Sequence, residues 1–204
     1  MIAYLKRKFR FLVRALTAVL IFWLVMTIWV ETKGPENFST YGDSSFFKKA
    51  LIIYDPDPIF NLDEQVCRMT AVSLANDGIS SDIKTVSSAE NSVLQSYDLY
   101  VFCSNTYNWQ PDWAISDFIG KVDLRNREVI CITLGSGSTE TSRKKLEKIV
   151  IGKKGEIIGS RSLWLLRPNT ESRMSEPNVQ VALSEIYKWT HKVISDAKFN
   201  GFQK

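Results

Sequence analysis

Apolar residues form one long run near the start of the chain and several short runs after it, and the two kinds predict different structures. Residues 15–30 contain no charge and are almost wholly apolar. Because about 20 apolar residues span a bilayer, we extend this run to a transmembrane helix over residues 11–30, with Arg14 reaching toward the lipid surface. A cleavable signal peptide is the alternative, although no small-x-small cleavage site follows the run. An uncleaved, single-pass signal anchor is therefore predicted.

The short apolar runs alternate with amphipathic segments, which is typical of a parallel sheet covered by helices on both faces. Strands are predicted at residues 50–54, 81–86, 99–103, 128–134 and 156–166. Most are continuous apolar runs, as expected for strands that are buried on both faces. The second run is more polar, so we place it at an edge of the sheet. The predicted fold class is α/β, a five-stranded parallel doubly wound sheet preceded by one N-terminal transmembrane helix.

Helix signals fall between the predicted strands. Asn61 and Glu64 have the spacing of a capping box at the start of the first helix of the domain. Its end is predicted at Asn76-Asp77-Gly78, and Pro111 suits the first turn of a later helix. Further helices are predicted over residues 89–95, up to about residue 150, and over residues 178–197.

The positive charge of the chain is concentrated at its start. Five of the 26 basic residues lie in the segment 1–14, which contains no acidic residue. The other 21 basic residues face 22 acidic ones, so the rest of the chain is close to neutral and nucleic-acid binding is not expected. Basic residues beside a transmembrane helix stay in the cytoplasm, which predicts an extracytoplasmic globular domain.

Composition divides the remainder of the chain. Residues 31–48 are rich in turn-forming residues and are predicted to be a linker between membrane and domain. The globular domain is predicted over residues 49–198, followed by a tail over residues 199–204. The three cysteines have no metal-ligand spacing, and no metal site is predicted. Two of them, Cys103 and Cys131, lie in apolar strand runs and are predicted to be small core residues.

An aromatic loop follows the third predicted strand. It reads Ser104-Asn105-Thr106-Tyr107-Asn108-Trp109 and leads into the proline-started helix. A glycine-rich loop, Gly135-Ser136-Gly137-Ser138, follows the fourth strand. Loops at the carboxyl ends of such strands are where open α/β folds bind flat ligands. In these two loops and in its element order the chain resembles the flavodoxin family over nearly the whole domain, and this resemblance implies the strand order 2-1-3-4-5.

The resemblance also implies a cofactor, FMN, held between the two loops. The residues that it assigns to cofactor binding are Ser104, Thr106, Tyr107, Asn108 and Trp109 on one side and Gly135, Ser136 and Gly137 on the other. The chain would then be a membrane-anchored electron carrier or flavin-dependent oxidoreductase with a redox partner protein; no catalytic residue is identified. The alternative for the two aromatic residues is packing on the surface of their own loop.

The loop after the first predicted strand departs from the family pattern. Flavodoxins have Ser, Thr and Gly there, which enclose the FMN phosphate, whereas this chain reads Asp55-Pro56-Asp57-Pro58. Proline has no N–H to donate, and a carboxylate about 6 Å from a phosphate charge adds roughly 3 kcal/mol of repulsion at an effective dielectric of about 20. The second hypothesis is therefore a cofactor-less flavodoxin-like binding or scaffold module.

Asp55 and Asp57 also allow a third hypothesis. An Asp-x-Asp pair after a first strand resembles the nucleophile motif of haloacid-dehalogenase-type phosphatases, which depend on Mg²⁺. The acidic residue that this family needs at a later strand end is missing, because residues 155–168 contain only Glu156. Turn formation before proline is the alternative role for both aspartates.

Overall fold

The computed structural model describes residues 2–90 and 96–197. The chain divides into a helical unit that ends at Thr32 and an α/β unit that begins at Lys33. The predicted tail and most of the short helix predicted at 89–95 lie outside the described residues.

The helical unit consists of α1 (Ile2–Val30). Its segment Lys6–Val30 is long and apolar enough to cross a membrane, and its apolar side chains are exposed. A signal sequence near the N-terminus meets the same criteria of length and composition, so the anchor over residues 11–30 stays a prediction.

The α/β unit is built around one sheet. Its strands are β1 (Phe38–Tyr41), β2 (Lys48–Tyr54), β3 (Ile79–Thr85), β4 (Leu99–Tyr107), β5 (Gln110–Pro111), β6 (Glu128–Gly135) and β7 (Glu156–Trp164). Their order is β1-β3-β2-β4-β6-β7, and β5 pairs with β4. β3, β2, β4, β6 and β7 are parallel, whereas β1 is antiparallel to β3. The five parallel strands confirm the predicted order 2-1-3-4-5.

Helices cover both faces of this sheet. They are α2 (Leu62–Asn76), α3 (Val86–Ala89), α4 (Trp113–Lys121), α5 (Glu140–Gly152) and α6 (Asn178–Asp196), with a short 3-10 turn at Glu171–Arg173. α2 and α6 pack on one face, and α3, α4 and α5 pack on the other. This arrangement confirms the predicted doubly wound α/β class.

Successive residues of the central strands point to opposite faces, so each apolar run contributes to two cores. In β2, Ile52 belongs to the core beneath α2 and α6, whereas Leu51 and Ile53 belong to the core beneath α4 and α5. The three cysteines are buried in these cores, which confirms the prediction for Cys103 and Cys131 and adds Cys67 of α2. Burial raises the pKa of the Cys131 thiol to about 12, so this side chain stays protonated and packs as a small apolar group.

The edge of the sheet differs from the prediction. β1 lies outside β3 with Thr40 opposite Asp82, and the Thr40 hydroxyl donates to the Asp82 carboxylate at 3.0 Å. The expectation that residues 81–86 form an edge strand is therefore wrong, and the predicted linker 31–48 contains a strand. A four-residue strand with alternating exposure has no apolar run from which it could be predicted.

The start of α2 lacks the predicted capping box. Asn61 makes no side-chain cap, because its Oδ1 accepts from Gln65 Nε2 at 2.6 Å. Glu64 forms an ion pair with Arg68 at 2.6 Å instead of returning to the cap. The Glu64 N–H donates to Asp63 Oδ1 at 2.7 Å, so Asp63 serves the first turn of the helix.

Candidate functional site at the carboxyl edge of the sheet

Two loops meet at the carboxyl ends of the neighbouring strands β2 and β4. One is the loop 55–61 between β2 and α2, and the other is the hairpin 107–110 that joins β4 to β5. They are connected because the Tyr107 hydroxyl donates to Asp57 Oδ2 at 2.7 Å. Burial, together with the hydrogen bond to Asp57 and its charge, raises the pKa of Tyr107, so the phenol remains a donor.

Asp57 also binds the backbone of its own loop. Its Oδ1 accepts from the N–H of Ile59 at 2.7 Å and from the N–H of Phe60 at 2.9 Å. These N–H groups lie just before the first turn of α2, at the positive end of the helix dipole. The carboxylate therefore takes backbone donors that a bound anion would use at this position.

Asp63 and Asn105 form the buried base of this arrangement. Asp63 Oδ2 accepts from the Asp57 N–H at 2.6 Å and from Asn105 Nδ2 at 3.0 Å. Asn105 Nδ2 also donates to Asp55 O at 3.1 Å. Burial raises the pKa of Asp63 to about 6, although the hydrogen bond from Asn105 opposes the rise. We call Asp55, Asp57, Asp63, Asn105 and Tyr107 the aspartate cluster.

Asp55 faces the segment by which the chain enters the α/β unit. Its Oδ1 accepts from the Gly34 N–H at 3.0 Å, and the Gly34 carbonyl accepts from Ser87 Oγ at 2.7 Å. Glycine is required because a Cβ atom at this position would lie 2.6 Å from Pro56 Cδ. Burial raises the pKa of Asp55 to about 6, opposed by the Gly34 hydrogen bond and the charge of Lys33. The entering segment thus covers this end of β2.

Two of the predicted cofactor-binding residues, Ser104 and Thr106, serve the interior of the loops. Ser104 is buried, and its Oγ accepts from the Asp112 N–H at 3.0 Å. A Cβ atom at Gly135 would lie 3.3 Å from Thr106 Cβ and 2.7 Å from Thr139 Cγ2, so the two loops are in close contact at this point. The Thr106 hydroxyl is buried and has no hydrogen-bond partner among the described residues.

Asn108 and Trp109 are the two central residues of the hairpin turn. Their φ angles are 49° and 59°, as a type I′ turn requires. A bulky residue is strained in this left-handed conformation, and the Trp109 side chain is 60% exposed. The hairpin also corrects the expectation for Pro111, which lies in β5, because α4 begins only after its cap Asp112.

The glycine-rich loop is held from the side of β7. The Gly135 carbonyl accepts from the Leu165 N–H at 2.9 Å, and the Ser136 carbonyl accepts from the Leu166 N–H at 3.2 Å. Gly137 faces open space, since no heavy atom beyond its chain neighbours lies within 4 Å of a Cβ placed on it. Of the three predicted residues in this loop, Gly135 is in close contact with Thr106 and Thr139, whereas Ser136 is exposed and Gly137 has open space beside it.

A cleft of about 340 Å³ lies beside the aspartate cluster. It opens between the loop residues 57–62 and the end of β7, and Gln65, Leu165 and Val179 complete its lining. None of the predicted cofactor-binding residues lines this cleft. The cleft and the predicted flavin slot are therefore different places on the same edge.

The aspartate cluster does not have the geometry that the phosphatase hypothesis needs. Both oxygens of Asp57 are engaged by donors, and Asp55 is buried against the Gly34 N–H. Within residues 2–90 and 96–197, no group of three His, Cys, Asp or Glu side chains is placed to hold a metal ion. His191 is exposed and pairs with Asp77 at 2.7 Å on the surface.

Sequence reasoning missed the roles of Asp63 and Asn105. Asp63 gave no signal in the sequence, since an acidic residue in the first turn of a helix is common and needs no special role. Only the pairing of β2 with β4 brings these two side chains together.

The strand order and the paired loops at the carboxyl edge define a flavodoxin-like fold. Flavodoxin 2 from Bacillus cereus is similar, with a TM-score of 0.56 and 15% identity over 72% of this chain and 99% of its own. A flavodoxin from the domain Archaea has a TM-score of 0.57 and 8% identity, over 74% of this chain and 99% of its own.

A larger protein contains a similar unit. Rubredoxin oxygen:oxidoreductase from Desulfovibrio gigas has a TM-score of 0.53 and 14% identity, over 72% of this chain and 37% of its own. No protein-family model and no curated protein matches the sequence. Identities this low support a shared fold and no shared activity.

Proposed function

We propose that this protein is a membrane-anchored flavodoxin-like binding module that does not hold FMN as a cofactor. The observation that carries this proposal is the Asp57 carboxylate, which accepts from the N–H groups of Ile59 and Phe60. The loop before α2, at the switch point between β2 and β4, is where this fold binds the phosphate of FMN. In this chain an anion that is part of the protein already uses these donors.

A phosphate at this loop would have to face the Asp57 carboxylate or displace it. Facing it at about 6 Å adds roughly 3 kcal/mol for each pair of charges at an effective dielectric of about 20. Displacing it breaks hydrogen bonds to a charged group, each worth about 1.5–3 kcal/mol. Because about 1.4 kcal/mol is tenfold in affinity, either route weakens FMN binding by several powers of ten.

The predicted ring site gives little compensation for the lost phosphate anchor. Tyr107 is held by Asp57, and Thr106 lies against Gly135 where the two loops meet. A flavin ring would have to break the first contact or widen the second. These contacts support a module that functions without the cofactor.

Flavin titration tests this proposal. Purified full-length protein in detergent should show no flavin absorbance, and FMN should bind with a Kd weaker than about 0.1 mM. Asp57→Ser removes the internal anion and should strengthen FMN binding at least about tenfold, with no similar gain for riboflavin, which lacks phosphate. Asp43→Ser is the matched control, because Asp43 also accepts a backbone N–H, that of Ser45, but is remote in sequence and lies on an exposed turn. A yellow wild-type protein would contradict the proposal.

The second candidate function is flavin-dependent electron transfer to a redox partner protein. The observation that favours it is the exposed Trp109, held in a strained turn at the same edge of the sheet as Gly137, beside which there is open space. An aromatic group in this position could stack on a flavin ring even without a phosphate site. In that case riboflavin and FMN should bind equally well to the wild-type protein, which the same titration would reveal.

We further propose that α1 remains uncleaved as a single-pass anchor, with the N-terminus in the cytoplasm and the α/β unit outside it. The cluster of basic residues in segment 1–14 supports this orientation. We expect the protein to stay in the membrane fraction after alkaline extraction and to keep its basic segment on N-terminal sequencing. Protease added from the extracytoplasmic side should digest the α/β unit, and release of a shortened soluble protein would contradict the anchor.

A further inference from the structure

We propose that the loops at the carboxyl edge of the sheet rest on the surface of a neutral lipid bilayer. The α/β unit distributes its exposed apolar side chains unevenly, since six of the ten exposed large ones among its described residues lie at this edge. These six, which we call the apolar rim, are Ile59, Phe60, Trp109, Trp113, Leu166 and Met174. The inference rests on the proposed membrane anchor.

The apolar rim is assembled from loops that are distant in sequence. Phe60 follows β2, Trp109 follows β4 and Leu166 follows β7, and their side chains are 49%, 60% and 76% exposed. The cleft of about 340 Å³ lies between the first and the last of these loops. Exposed apolar groups gathered on one side of a domain mark an interaction surface.

The conformation of Trp109 supports a function for its exposure. The residue has φ 59°, a strained conformation for a bulky side chain, and this turn holds the indole outward instead of burying it. Tryptophan is the residue that most favours the boundary between lipid and water, because its ring is apolar with one polar N–H.

The charged groups of the same loops favour neutral lipid as the partner. Asp55 and Asp112 are buried, and Asp57 is bound by N–H groups of its own loop, so these acids do not face outward. Arg173 is paired with Glu176 at 2.6 Å. Arg167 is exposed beside Leu166 and lies over the Trp164 ring, and the exposed Glu171 of the same segment balances its charge. The edge therefore offers apolar contact with no excess of basic groups, which anionic lipid would require.

The connection between the membrane-length segment and the α/β unit is short and ends at this edge of the sheet. Gly34, where the α/β unit begins to fold, is hydrogen-bonded to Asp55 and Ser87 at the carboxyl ends of β2 and β3. Only three residues separate Gly34 from Val30, the last residue of the membrane-length segment. A membrane that holds this segment is thus covalently tied to the same edge as the apolar rim.

Spin labels on the full-length protein in phosphatidylcholine vesicles test this inference. Phe60→Cys and Leu166→Cys place labels on the rim, whereas Phe47→Cys and Ile151→Cys are matched controls at exposed apolar positions near the opposite edge. The three native cysteines are buried, so they should not compete for the label. Rim labels should be several-fold more accessible to oxygen, relative to a water-soluble nickel complex, than control labels.

Three results would overturn the inference. Rim and control labels equally accessible to the nickel complex would show that the edge faces water. Spectra of rim labels that are broadened by spin–spin interaction, with the broadening lost when unlabelled protein is added, would identify a second copy of the chain as the partner. Protein that does not float with the vesicles would remove both the anchor and this inference, whereas floating protein with water-exposed rim labels removes only the inference.

Discussion

Asp63→Ala is expected to lower the free energy of unfolding by about 2–4 kcal/mol. Asp63 accepts hydrogen bonds from the Asp57 N–H, the Glu64 N–H and Asn105 Nδ2, and the carboxylate is buried. A buried donor that loses its acceptor costs about 1–3 kcal/mol of stability, and alanine at position 63 would leave these three donors without the acceptor that Asp63 provides. Removal of a buried charge offsets part of this loss, which keeps the expected effect below the sum.

The midpoint of thermal unfolding of the full-length protein in detergent measures this effect. For a chain of this size, 1 kcal/mol shifts Tm by roughly 2–4 °C, so a decrease of about 5–15 °C is expected. Asp123→Ala is the control, because Asp123 is exposed and binds only Arg125 in the described structure. An unchanged Tm in Asp63→Ala would show that the aspartate cluster does not hold the two loops together.

Asp55→Asn is expected to stabilise the protein at pH 7 by roughly 1–2 kcal/mol. Burial raises the pKa of Asp55 to about 6, which means that folding disfavours its charged form. Asparagine removes the charge and keeps an oxygen that can accept from the Gly34 N–H. Asp63→Asn should lack this stabilising effect. Both oxygens of Asp63 accept hydrogen bonds from backbone N–H groups, so the NH₂ of an asparagine would face one of these donors.

The same raised pKa values fix the direction of the pH dependence. Asp55 and Asp63 have folded-state pKa values of about 6, above the 3.8 of an unperturbed aspartate, so the folded protein takes up protons first as pH falls. Stability should therefore rise as the pH falls from about 7 to about 4, and fall as the pH rises through this window. Carboxylates with a lowered pKa, such as that of Asp123 at about 2, lose their contribution only at lower pH.

Urea unfolding at a series of pH values measures this dependence. Wild-type stability should be greater near pH 5 than at pH 7, and Asp55→Asn should reduce the difference by about half if the two groups contribute equally. Asp43→Asn, on an exposed turn, should leave the slope unchanged. Stability that falls steadily from pH 7 to pH 5 would contradict the assignment of buried, charged carboxylates.

The fold could be predicted from the sequence because its signals are local and redundant. Runs such as Leu51–Ile53 can bury their apolar side chains on both sides only between two layers of helices. The alternation of such runs with helical segments along the chain leaves few alternatives to a parallel sheet. β1 could not be predicted, since its four residues are ordered by pairing with β3 and not by their own hydrophobic pattern.

The candidate site could be predicted only in position. The sequence placed Asp57, Tyr107 and Gly137 at one edge of the sheet, and in the structure they lie at the carboxyl ends of β2, β4 and β6. It could not give the partners of each side chain, because a hydrogen bond between Tyr107 and Asp57 joins residues 50 positions apart. From the sequence, the two aspartates were expected to repel a phosphate at an open site. In the structure, their carboxylates accept hydrogen bonds from the backbone of the surrounding segments.

By itself, then, the amino-acid sequence determined the apolar segment of membrane length, the doubly wound sheet and the loops at its carboxyl edge, because these depend on hydrophobic pattern and chain order. Only the tertiary structure decided how that edge is used. Pairing of β2 with β4 set Asn105 against Asp63 and Tyr107 against Asp57, and the loop donors were thereby given to the protein's own carboxylates. Such contacts depend on distance in space, which neighbouring residues in the sequence do not encode.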